Sequence, residues 1–427
     1  MSKEISSESP SWHLRPSVKL VEGALRGALY DLEKGNVYSI NPLAIEVITK
    51  RSYNEDFWET LFNLGLAVKT KESLEEQEKI PPEVKLSFVW LELTEKCNLR
   101  CIHCYGKFGP ATIRNEDRLT FKDWGNIIMQ LGENSIKAAT IIGGEPDLYR
   151  EEGNNSYDLL ELMRKVGIEK IEYFTNATLL DEKKIQILRD LKVSVALSLY
   201  SLDPKTHESI TQKKGSFEKT MKAIEILRRN KVPVRIAVIA MKQNEDTLSE
   251  LIRWLKKEGM LTRMPDIIRP DNTSENSGLI PSMELRKQIS LFMRPDFSTS
   301  EKSFRRNMYW HNCLAGKLSI CPDGKVIPCV FYRRRALGNI KEKSLKEIAE
   351  SEETQEVWRI TKDKIPVCRD CEYRYACNDC RPVSVGNSGN YLAPYSRCTY
   401  NPYTGEWGKG LWKENEKGEP EYFPIES

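Results

Sequence analysis

The chain has 427 residues, 40% hydrophobic and 30% charged, with 65 basic against 62 acidic side chains and a net charge of +3. So even a balance excludes recruitment of nucleic acid or a membrane surface by a global field. The mean hydropathy of −0.52, with no apolar run approaching the roughly 18–20 residues of a membrane span, excludes a transmembrane protein.

The length exceeds what one core usually fills, so two or three domains are expected. The start MSKEISSESPSW is polar and unlike a signal peptide, which makes the expected location cytoplasmic. In SVKLVEGALRGALYDLEKGNVYSIN the turn EKGN separates two apolar stretches, a hairpin pattern. PLAIEVITKRS and FWETLFNLGL then carry apolar residues at helical spacing, and AVKT returns as a strand. The charged, proline-containing KESLEEQEKIPPEVK is a linker.

From Val84 to about Pro281 apolar strands alternate with amphipathic helices. The strands are VKLSFVWLELT, AATIIGG, KIEYFTNAT, VSVALSLYS, VPVRIAVIAM and a short one around MPDII. This alternation builds βα units around a parallel sheet, here about six, too few for a closed eight-stranded barrel. The predicted fold is α/β, an open, partial (β/α)6 barrel of TIM type. Residues 308–400 are cysteine-rich with little regular pattern, as where clusters stand in for a core. The domains expected are therefore 1–80, 84–285 and 308–400, with 401–427 a polar tail of no assigned role.

The eleven cysteines gather at the two ends of a long gap between Cys104 and Cys313. A reducing compartment does not sustain a disulfide framework, and scattered core cysteines would not cluster so; metal or cluster ligation is the better explanation. In LTEKCNLRCIHCYG, Cys97, Cys101 and Cys104 form C-x3-C-x2-C directly after the first barrel strand. GGEP (143–146) follows the second strand, TNAT (175–178) the third, and LSLYS ends the fourth. Chemistry in such folds sits at this carboxyl rim. Three thiolates on a cubane leave one iron open, as catalysis needs, whereas a structural site closes its shell. Spacing alone also allows zinc, with His103 or a distant cysteine as fourth ligand.

CNLRCIHC with GGEP resembles the radical S-adenosylmethionine (SAM) superfamily. The resemblance implies a 4Fe–4S cluster on Cys97, Cys101 and Cys104 whose fourth iron is chelated by the methionyl group of SAM. It implies further that Gly143, Gly144, Glu145 and Pro146 hold the amino group, glycine permitting close backbone approach. Thr175 and Asn176 are placed near SAM, Ser198 on its ribose or carboxylate, and Arg235 within reach of the carboxylate. The reaction implied is cleavage of SAM to methionine and a 5′-deoxyadenosyl radical that abstracts hydrogen from an unactivated carbon.

Cys313, Gly324 and Cys329 form C-x10-G-x4-C, and CRDCEYRYACNDC gives C-x2-C-x5-C-x2-C before a lone Cys398. This resembles the SPASM extension of radical SAM enzymes, although its last spacing is more often x3. The resemblance implies two auxiliary 4Fe–4S clusters, Cys313, Cys321, Cys329 and Cys380 holding the first and Cys368, Cys371, Cys377 and Cys398 the second. Three clusters then use every cysteine, and full ligation favours electron transfer over substrate ligation. A zinc ribbon shares the C-x2-C spacing.

GALYDLEKGNVYSINPLAIEVI resembles the PqqD-like winged-helix element of ribosomal-peptide maturases. It implies a precursor peptide whose leader adds as a strand to the N-terminal domain. A nucleic-acid reader is disfavoured, because the segment carries only Lys50 and Arg51 at its end. The family further implies a flavodoxin- or ferredoxin-type electron donor and a cross-link as product: thioether, carbon–carbon or carbon–oxygen. A sulfatase-type formylglycine maturase is a second peptide alternative, although Val330 stands where those enzymes place an Asp base. A small-molecule radical enzyme of cofactor biosynthesis and a redox or interaction protein without SAM cleavage complete the alternatives.

Overall fold

A computed structural model describes residues 11–50, 52–71, 80–110, 118–269, 278–288 and 297–425. Part of the expected linker lies outside them.

Five parallel strands run side by side in the order Val234–Ala237, Ser194–Ser198, Lys170–Thr175, Ala138–Ile142, Phe88–Glu92. Alternate residues on each strand divide its two faces. Val89, Leu91, Ile171, Tyr173, Val195 and Leu197 are buried against helical residues such as Trp124, Leu159, Leu188 and Leu227 in one continuous core. The opposite set, including Trp90, Glu172, Phe174, Ser198 and Arg235, is only half-buried and lines the inner face of the arc. The covering helices start where the sequence supplies caps: Thr120 and Asp123 form a capping box for Phe121–Glu133, as Asn155 and Asp158 do for Ser156–Lys165. After Val238 the edge strand resumes as Ile239–Ala240 and pairs in parallel with Asp266–Ile267, which supplies the sixth strand of an open arc.

The other edge departs from expectation. Lys317–Ile320 pairs in parallel with Phe88–Glu92, then returns antiparallel as Lys325–Ile327 and Gly338–Asn339, so the cysteine-rich region extends the barrel sheet to eight strands. These strands have two to four residues, too short for a period to register.

The N-terminal region is a three-stranded antiparallel sheet, Val18–Glu22, Gly27–Asp31 and Asn36–Ile40, followed by helices Pro42–Ile48 and Glu55–Asn63. Asn41 and Asn54 cap those helices, each cap contributing about 1 kcal/mol. Ala67–Thr70 pairs with Ser11–Leu14. The central strand is buried on both faces: Leu29 meets Ile45, Trp58 and Leu61, while Ala28 and Tyr30 meet Phe304, Tyr373 and Tyr400 of the cysteine-rich region. The Tyr30 hydroxyl donates to the Glu372 carbonyl at 2.7 Å. This sheet is thus seated on the cysteine-rich region.

Residues 401–425 are not merely a tail. Gly410–Glu414 and Pro420–Pro424 form a hairpin whose buried Trp412 donates its indole N–H to the Tyr400 carbonyl at 2.7 Å. Among the described residues no helix is long and apolar enough to cross a membrane.

Candidate active site and auxiliary metal centres

The loop after Phe88–Glu92 is tied down at several points. Arg100 and Ile102 donate backbone N–H groups to Thr211 and Ile210, and Cys97 donates to Gly109. Two sulfurs accept backbone N–H groups, Cys97 from Leu99 and Cys104 from Phe108, each at 3.4 Å. Cys97, Cys101 and Cys104 share a small apolar cluster with Leu99, Phe108 and Tyr105. Burial pushes the Cys97 thiol up to about 12, with the charges of Glu145 and Cys104 adding to it. Burial first, then the neighbouring cysteines, raise Cys101 as well, and burial raises Cys104. Three thiols that resist ionising together suit a cationic cluster, which compensates their charge and is bound with loss of their protons. Among the described residues no three side chains stand close enough to grip a single metal ion; a cubane, with irons at separate corners, takes its thiolates farther apart.

GGEP also has a geometric role within the chain. A Cβ on Gly143 would stand 2.6 Å from the Thr94 carbonyl, and one on Gly144 2.4 Å from that of Lys96. The glycines therefore let this loop lie against the cysteine loop, to which Gly144 and Glu145 donate N–H groups at 2.6 and 2.8 Å. Pro146 opens a short 3-10 turn, buried with Asp147. Glu145 is fully buried. Its carboxylate accepts from the Thr175 hydroxyl at 2.7 Å, the Asn176 N–H at 2.8 Å and the Asp147 N–H at 3.1 Å. Burial outweighs these bonds and raises its pKa to about 7.

Thr175 and Asn176 are therefore joined to GGEP, and the Asn176 amide reaches Asn98 at 2.9 Å and the Cys97 sulfur at 3.8 Å. Ser198 and Cys101 both lie beside the Tyr200 hydroxyl. His103 is packed edge-on against Tyr200, ring centres 4.8 Å apart. Arg235 does not join this group. It lies two residues before its strand end, and its guanidinium holds Glu172 at 2.9 and 2.7 Å over the Phe174 ring; the nearest carboxylate is the chain's own.

The inner wall holds a pair that the sequence reading misses. Glu92 is completely buried and receives both ends of the Arg333 guanidinium, at 2.8 and 3.0 Å, and the Tyr105 hydroxyl at 3.1 Å. A lone acid in the apolar strand FVWLE was the available signal.

The C-terminal cysteines fall into two groups. Cys371 feels Cys377 and Cys398, and Cys398 feels Cys377 and Cys368, after burial in each case, so that quartet shares one locality. Cys329 feels Cys380 and Cys313. Cys321 stands apart from these three, at the turn end of the hairpin, where its N–H donates to the Lys325 carbonyl and its charged neighbours are Glu92 and Arg333. Beside both groups lies a buried charge cluster, also absent from the sequence reading. Asp379, between Cys377 and Cys380, meets Lys362 at 2.9 Å, His311 at 3.1 Å and Arg381. His311 in turn accepts the Cys313 N–H at 3.0 Å.

Residues 91–255 match the Radical SAM superfamily, and residues 313–372 match SPASM, an iron-sulfur cluster-binding domain. The chain is a radical SAM enzyme. A radical SAM domain joined to a SPASM domain implies 4Fe–4S clusters and SAM binding. An AdoMet-dependent heme synthase of Methanosarcina barkeri is 25% identical, the match covering 73% of this chain and 95% of that protein. The antilisterial bacteriocin subtilosin biosynthesis protein AlbA of Bacillus subtilis is 26% identical over 66% of this chain and 65% of its own length. Streptococcus suis SuiB, solved bound to precursor peptide SuiA, superposes with a TM-score of 0.55 at 15% identity, covering 91% of this chain and all of that one.

Proposed function

We propose that this radical SAM enzyme modifies a ribosomally made precursor peptide, joining two of its atoms by a thioether, carbon–carbon or carbon–oxygen bond. The observation that carries the reading is the small N-terminal sheet, folded on its own core and seated against the cysteine-rich region. A radical enzyme acting on a small molecule has no need of such an element, whereas a peptide leader can add to its edge as a strand. The names of AlbA and SuiB support the substrate class.

When bound, SAM on its cluster supplies the hydrogen-abstracting radical, and the auxiliary clusters supply a place for electrons. Three such clusters are proposed, one on Cys97, Cys101 and Cys104. The chain's own residues do the rest. The Glu145–Thr175–Asn176 network fixes the rim loops relative to the cysteine loop, and the Ser198–Tyr200 contact borders Cys101. Trp90, Phe174 and Phe331 give the chamber aromatic walls that exclude water, while Glu92–Arg333 and Glu172–Arg235 offer paired charges to orient a peptide. A flavodoxin- or ferredoxin-type donor and a cytoplasmic location complete the proposal.

The match across nearly the whole AdoMet-dependent heme synthase favours a second reading, radical chemistry on a small molecule. Anaerobic incubation with SAM, dithionite and the full precursor peptide, read by mass spectrometry, separates the two. The expected product lacks two hydrogen atoms, and removing the leader lowers kcat/KM at least tenfold. No mass change on any peptide, or equal turnover without the leader, contradicts the proposal.

A further inference from the structure

Cys313 precedes the strand Lys317–Ile320, and Cys329 follows the strand Lys325–Ile327. Antiparallel pairing of Ser319 with Ile327 brings those two cysteines to the same end of the hairpin. Cys321 sits at the turn, where its N–H donates to Lys325. Four extended residues at ~3.3 Å each put about 13 Å between the two ends, whereas the corners of one cubane are a few ångströms apart. The ladder between Lys317–Ile320 and Lys325–Ile327, with Ser319 opposite Ile327 and Ile320 opposite Val326, holds the turn apart from the other end.

Cys321 belongs to another place. The parallel ladder pairs Ile320 with Leu91, so Cys321 stands level with Glu92 on the inner, chamber side. All eleven cysteines lie among the described residues, so no further thiol of this chain is available to replace it. Near Cys329 and Cys380 stands Arg269 instead. It lies 4.2 Å over the Phe331 ring, and its Nε–H is buried without an acceptor. Phe331 in turn packs against Tyr105, ring centres 5.4 Å apart, next to the cysteine loop of the SAM site.

We propose that the first auxiliary cluster is held by three thiolates of this chain, Cys313, Cys329 and Cys380, leaving one iron for an outside anionic donor beside Arg269, and that Cys321 is a free thiol of the barrel chamber. This rests on the two auxiliary sites, not on the identity of the substrate. The donor class follows from the Arg269 Nε–H, which is buried without an acceptor although the guanidinium also pairs with Asp266, next to an iron that lacks a thiolate.

The test uses the full chain with Cys97, Cys101 and Cys104 all replaced by Ala, so that only auxiliary clusters form. After anaerobic reconstitution it carries about eight irons and eight sulfides. Adding Cys321→Ala, or the gentler Cys321→Ser, leaves those counts unchanged, while adding Cys329→Ala lowers them by about half. Cyanide added to the dithionite-reduced protein changes the electron paramagnetic resonance signal of one cluster and spares the other. Loss of a cluster on replacing Cys321 by both Ala and Ser, or a spectrum indifferent to cyanide, overturns the proposal. Absence of iron from the starting variant overturns the auxiliary sites themselves, and with them this inference.

Discussion

Glu145 is an acid without water around it, and its behaviour with pH is set by that burial. Free in the unfolded chain it ionises near 4.5, and in the folded chain near 7. Between those values the folded chain binds more protons, so the stability this group contributes is full below the lower value and is lost as pH rises to the upper one. An amino N–H donated to the carboxylate favours its ionised form and reverses the balance. SAM affinity, followed anaerobically by equilibrium dialysis, is therefore expected to rise several-fold from about pH 6 to about pH 8, and to stay flat in Glu145→Gln. An equal slope in both proteins contradicts the role. At this scale the sequence is legible where a residue type announces its chemistry, as Cys97, Cys101 and Cys104 do. It is less legible where position decides. Spacing treats Cys321 like Cys313 and Cys329, whereas the ladder places it at the other end of the hairpin.

The helices and strands of the barrel are legible because each has enough residues to show a period and a cap. The auxiliary region is not, because its strands are two to four residues long and its order depends on buried polar groups drawn from distant segments. The Asp379 cluster is the clearest case. His311, Lys362 and Arg381 meet one carboxylate with no exposed side-chain surface, although up to 70 positions separate them along the chain. Replacing Asp379 by Ala leaves buried cations without a counter-charge, at a cost of about 3–5 kcal/mol. The expected outcome is a lower thermal transition for the reconstituted protein, partly recovered in the Asp379→Ala/Lys362→Met double variant. An unchanged transition in the single variant contradicts a stabilising role for the cluster.

Over the whole molecule, packing ties the auxiliary hairpin to the SAM-site loop and the N-terminal sheet to the second cysteine group. Phe331 and Tyr105 connect the auxiliary hairpin to the SAM-site loop, and Tyr30 with Ala28 connects the N-terminal sheet to the segment around Glu372 and Tyr373. The domains themselves are legible from composition, but their docking is not, since it depends on pairs such as Tyr30 and Glu372 that no local pattern links. The proposed function requires a radical generated at the barrel rim. The most direct measurement is 5′-deoxyadenosine formed from SAM and dithionite by anaerobically reconstituted protein. The wild-type chain is expected to release it, and the Cys101→Ala variant is expected to release none. A wild-type protein that carries its full iron and sulfide yet leaves SAM intact would contradict the account.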